Sequence, residues 1–159
     1  MENTQNYLQI LEESLSRKIT ILDELERLTM SQREIVQADE FDEELFNTNV
    51  EQKAALIREI EKLDRGFQLL FDNVKKQLDD NRAQYAEEIK RLQELVKGVM
   101  DRSTELQVME ARNKDMIKSR FAALKKEART IKKSREMAAN YYKTMNNISS
   151  EPYFLDKKK

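Results

Sequence analysis

The chain has 159 residues, 37% of them charged, with a formal net charge of −1, two glycines, one proline, no cysteine and no histidine. So few residues able to break a helix or take a positive φ exclude a fold with many turns, and with it all-β and α/β architectures. The missing cysteine and histidine remove disulfides, thiolate chemistry, the commonest general base and the commonest metal ligand.

Near the N-terminus, apolar residues recur at Leu8, Leu11, Leu15, Ile19, Leu22 and Leu25, the three-to-four spacing of an amphipathic helix. This predicts a first helix over about 5–36, which weakens through Ser31-Gln32-Arg33 and ends before the acidic run Asp39-Glu40-Phe41-Asp42. No basic stretch followed by an apolar one precedes it, so no signal peptide is expected and the chain reads as cytoplasmic.

Asp42 has the short carboxylate that accepts orphan N–H groups at a helix start, and Glu43 and Glu44 place negative charge where the helix dipole favours it. Phe41 and Phe46 fall at the positions of a hydrophobic staple. A second helix is therefore expected over about 43–79. From Phe46 a seam with the heptad period runs through Val50, Lys53, Ile57, Ile60, Asp64, Phe67 and Phe71, and continues to Met116. Its polar members Lys53, Asp64, Asn81, Glu88, Arg102 and Asn113 read either as a polar site or as devices that fix register, the second being commoner in coiled coils.

Asp79-Asp80-Asn81-Arg82 is the expected corner, because Asp and Asn suit caps and turns; Gly98 is the alternative. A third helix then follows over about 83–147, with a phase slip at Ile117. It is far longer than the first two. The expected fold is all-α: a single helical domain over 1–147, built as an antiparallel three-helix coiled-coil-like bundle with a long, protruding third helix, and a flexible tail over 148–159 that Pro152 keeps from continuing the helix.

Charge is unevenly distributed. Residues 1–60 hold 14 acids against 6 bases, a net of −8, whereas residues 111–145 hold 3 acids against 11 bases, a net of +8. On the protruding half of the third helix an apolar stripe lies among these cations: Met109, Met116, Ile117, Phe121, Leu124 and Ile131. With Tyr142 and the tail's Tyr153, these are the candidate partner-binding residues, methionine being adaptable and exposed aromatics being efficient anchors. The same stripe reads also as ordinary core or a homodimer seam, and the cations as a nucleic-acid or membrane-surface binder with poor aromatic interleaving. There is no phosphate loop, HExxH or nucleophile elbow, so no catalytic residue, metal ligand or cofactor is expected and the chain is not read as an enzyme.

Four segments carry a family likeness. Asp42, Phe46 and Lys53 are followed by Ala54-Ala55-Leu56-Ile57-Arg58-Glu59-Ile60; Arg112-Asn113 sits within Glu110-Ala111-Arg112-Asn113-Lys114-Asp115-Met116-Ile117; Asn140-Tyr141-Tyr142-Lys143-Thr144-Met145 and Asp156-Lys157-Lys158-Lys159 close the chain. In these the chain resembles the FlgN type of flagellar type III export chaperone. The resemblance implies a cytoplasmic, helical chaperone that captures the C-terminal helical segment of hook–filament junction (hook-associated) proteins and delivers them to the membrane-bound export gate. It implies a client surface along Met109–Ile131 and a gate-docking tyrosine at Tyr153, with Tyr142 as the alternative. The rival readings are a self-associating structural coiled coil, and a basic-helix binder of nucleic acid or membrane.

Overall fold

The structure is a computed structural model and describes residues 2–127 and 130–146. Four helices form: α1 (Glu2–Gln37), α2 (Glu43–Asp80), α3 (Ala86–Lys126) and α4 (Lys132–Asn146). None of them is long and apolar enough to cross a membrane.

α1 is the central element, packed against both α2 and α3. It buries Leu8, Leu11, Leu15, Leu22 and Leu25. Cross-helix pairs fix the directions. Arg17 on α1 pairs with Glu59 on α2 at 2.7 Å, while Asn49 of α2 donates to the Leu28 carbonyl at 2.9 Å, so α2 runs antiparallel to α1. Arg91 pairs with Glu12 at 3.0 Å and Arg102 with Asp23 at 2.9 Å, so α3 runs parallel to it.

Local chemistry explains the start of α2. The Asp42 carboxylate accepts the Leu45 N–H at 3.0 Å, with Glu43 and Glu44 in the first turn. Phe41 and Phe46 meet at 5.4 Å between ring centroids, and each packs edge-on against Phe121 of α3, at 5.9 and 5.5 Å. Such tilted contacts are the favoured geometry for aromatic pairs. At the other end, Asn81 closes α2: its backbone N–H and its side-chain amide both donate to the Gln77 carbonyl, at 3.1 and 2.9 Å. Gly98 lies within α3.

The single, protruding third helix expected over 83–147 is not formed. α3 stops at Lys126, where the Glu127 N–H is shared by the Ala123 and Leu124 carbonyls, and α4 returns antiparallel to it and lies along α2. Ser134 of α4 donates to Glu43 at 2.9 Å and lies 2.7 Å from Asn47, and Met137 and Tyr141 lie beside Val50 and Ile57. No glycine or proline marks the break. Like charges four residues apart in the sequence, at Lys125, Arg129 and Lys133, would weaken a continuous helix there, and Thr130-Ile131 are poor helix formers. Tertiary packing contributes more: folding back buries Ile131, Ala138, Tyr141 and Tyr142 together with the stripe of α3, which a straight helix would leave in water. The bundle is thus four helices thick beside the first half of α2 and three elsewhere. The tail expected over 148–159 lies outside the described residues.

Candidate partner-binding site

Where α4 reaches deepest, the seam becomes polar. Lys53 of α2, 0% exposed, donates to Glu110 of α3 at 2.8 Å and to Gln32 of α1 at 3.3 Å. Glu110, 3% exposed, also accepts a short hydrogen bond from the Tyr141 hydroxyl of α4, whose ring lies 4.6 Å from the Lys53 ammonium. Asn113 donates to the Gln32 side-chain oxygen at 3.0 Å and to the Thr29 carbonyl at 2.8 Å. One layer therefore draws a side chain from each of the four helices.

Such a layer is specific because it is costly. A charge taken out of water is tolerated only with a partner in good geometry, so only one rotation and register of each helix satisfies Lys53 and Glu110 together. Burial pulls the Lys53 ammonium below the usual lysine range, and the Glu110 carboxylate opposes that pull. Burial, and next the negative charge of Glu110, push the phenols of Tyr141 and Tyr142 well above theirs. The hydroxyl of Tyr142 is buried and close enough to Glu110 to feel its carboxylate, but it makes no hydrogen bond of good geometry among the described residues.

The other polar seam residues behave likewise. Asp64 accepts from Lys18 at 2.8 Å, and burial raises its pKa while Lys18 lowers it; Glu88 accepts from Gln5 at 2.8 Å, and Arg102 reaches Asp23. Each ties its helix to α1, which is what a register device does; none opens onto a cavity holding a pair of catalytic carboxylates. Among the described residues no group of acidic side chains is arranged to hold a metal ion.

The structure places the sequence candidates unevenly. Leu124 and Ile131 are core, and Ile117, Phe121 and Tyr142 are also buried, so the stripe does not stand uncovered as a protruding helix would have left it. Met109 is half-buried, as is Met116, which lies on the α1 side of α3, where its sulfur accepts from Gln37 at 3.3 Å. Tyr153 lies outside the described residues. Three of the candidates come together: Ile117, Phe121 and Tyr142 line a cleft of 490 Å³ between α3 and α4. Its edges are basic, with Lys114 and Lys118 on α3 and Arg135 and Lys143 on α4.

Sequence reasoning missed Glu110, and it reads Tyr141 only as one of the aromatic residues near the end of the chain, not as a donor into the seam. The available signal was Lys53 itself: a lysine in an apolar seam needs an acid at its own level on a neighbouring helix. Arg120, one of the cations read as a phosphate-facing run, instead closes the end of α1 by donating to the carbonyls of Val36, Ala38 and Asp39 at 3.2, 2.7 and 3.1 Å. A cation at a helix C-terminus is favourable.

Among known proteins, no curated sequence and no solved structure matches the chain. The family model for FlgN protein matches residues 1–147, a region that takes in all four helices, the polar layer and the cleft. The chain belongs to the FlgN family, the flagellar export chaperones.

Proposed function

We propose that the protein works in the cytoplasm as the chaperone of hook–filament junction proteins, holding the C-terminal helical segment of a hook-associated client and passing it to the export gate. Family membership supplies the general role. The observation that supports this finer reading is the cleft between α3 and α4, where an apolar floor from Ile117, Phe121 and Tyr142 lies between basic edges with no acidic residue, whereas the α1–α2 and α2–α4 clefts are lined by acids as well as bases. Helix-in-groove binding needs such a floor, and a rim that orients the incoming helix. Within this reading Leu124 and Ile131 hold the floor in place and Tyr153 docks on the gate; Met109 and Met116 do not line the cleft, and Tyr142, buried in its floor, is not free to dock.

Co-expression with each hook-associated protein of the same genome, followed by size-exclusion chromatography, tests the reading. The expected result is a discrete complex that keeps the client soluble and that is lost when the client's C-terminal segment is removed. Clients that stay unbound, or that bind equally well without that segment, overturn it.

A further inference from the structure

The cations that edge the α3–α4 cleft have no acidic partner among the described residues. Seven ion pairs form there, and their basic members are Arg17, Lys18, Arg27, Lys53, Arg82, Arg91 and Arg102. None of Lys114, Lys118, Arg135 or Lys143 is among them, and no acidic residue lines the cleft. Lys114 instead lies over the Tyr142 ring, 5.7 Å from its centroid.

Their placement is ordered. Lys114 and Lys118 are one helical turn apart on α3, and Arg135 and Lys143 bracket Ala139 at helical spacing on α4. The two helices are antiparallel, so the cations form two rails with Ile117, Phe121 and Ala138 between them. In coiled coils the residues flanking an apolar seam set partner choice by charge. Two positive rails beside an apolar floor call for a helix with an apolar stripe and carboxylates on both flanks. A nucleic acid fits less well, because the cleft's aromatic rings, Phe121 and Tyr142, are buried and cannot stack on bases. A lipid surface fits less well too, since the apolar atoms are sunk in a cleft and not raised on a face.

We infer that the α3–α4 cleft selects an acidic amphipathic helix, whose flanking carboxylates pair with Lys114 and Lys118 on one side and with Arg135 and Lys143 on the other. The inference rests on the chaperone reading above and adds the chemistry of the client segment. It makes association salt-dependent, because the rails stand at the solvent edge of the cleft and their field is screened.

The test uses the full chain and a full-length hook-associated protein, with affinity measured by titration calorimetry. Two variants separate charge from shape: Lys118→Glu with Lys143→Glu reverses one charge on each rail, and Ala139→Phe fills the cleft without altering charge. All three positions are exposed, so thermal melting should match the parent within a few degrees. The inference predicts at least tenfold weaker binding for both variants. Binding by the parent also weakens tenfold or more between about 0.1 M and about 1 M salt, as the screening length falls from about 10 Å to about 3 Å. Exchanging the client's acidic flank residues for lysine restores binding to the charge-reversed variant. If the parent binds but charge reversal and salt leave affinity unchanged, the acidic selection is wrong and the chaperone reading stands. If only Ala139→Phe keeps full affinity, the cleft is not the site. If the parent binds no hook-associated protein but does bind anionic lipid vesicles or RNA, both readings fall.

Discussion

Replacing Lys53 by methionine keeps the volume of the side chain and removes one ammonium from a layer in which it is wholly buried. What remains is the Glu110 carboxylate, 3% exposed, with the Tyr141 hydroxyl as its donor and no counter-charge. Two effects oppose each other. The variant no longer buries the ammonium, a gain, but it leaves a buried carboxylate unpaired. Where one member of a buried pair has been removed, the second effect wins by about 3–5 kcal/mol. At about 2–4 °C per kcal/mol for a chain of this size, the melting temperature should fall by roughly 6–20 °C. Converting the whole charged set (Lys53→Met, Glu110→Leu, Tyr141→Phe) leaves no buried group unsatisfied by the change and should return stability to within about 1–2 kcal/mol of the parent, or above it. Urea unfolding followed by circular dichroism at neutral pH measures all of this. A Lys53→Met variant that loses less than about 1 kcal/mol would refute the reasoning, since Lys53 could not then be the buried partner of Glu110.

Three further outcomes follow from individual side chains. Tyr141→Phe removes the second donor to Glu110 and should cost about 1–3 kcal/mol, whereas Tyr142→Phe removes a hydroxyl that makes no hydrogen bond of good geometry among the described residues and should be neutral or slightly stabilising; equal losses would contradict the layer's geometry. In a phenolate absorbance titration, Tyr141 and Tyr142 should ionise only as the protein unfolds. The sign follows from linkage: with folded-state pKa values raised above about 10, the native state holds protons that the unfolded chain releases, so stability is complete below that pH and is lost as pH rises. The lowered pKa of Lys53 acts in the opposite sense only up to about 10.5, above which the tyrosines act alone. Gly66→Ala in the middle of α2 should add about 1 kcal/mol, because a new Cβ there meets no atom within 4 Å; Gly98→Ala should gain less, its Cβ falling 3.3 Å from Ile19 and Arg102.

Much of the all-helical fold was legible because its signals are local. The Asp42 cap and the Phe41–Phe46 staple need only a few neighbouring residues, and the structure forms both. The polar seam positions were legible as interruptions, and their cross-helix partners make them register devices. The break between α3 and α4 was not legible. Neither glycine nor proline stands there, the apolar period continues on both sides, and what decides the break is the burial of Ile131, Tyr141 and Tyr142 against helices distant in sequence. For the same reason the stripe read as an open surface is largely core, and the partners of Lys53 came to light only with the rotation of α3 and α4. Of the candidate face, Ile117, Phe121 and Tyr142 come together in the cleft that α4 makes with α3.

The central claim is that a client helix is held at the α3–α4 end of the bundle. Hydrogen exchange of the full chain, alone and saturated with a hook-associated protein, tests it most directly. The account predicts new protection within residues 110–146, with the α1–α2 cleft around Ile10, Leu63 and Gly66 unchanged. Protection confined to that α1–α2 cleft, with none in α3 or α4, would contradict it.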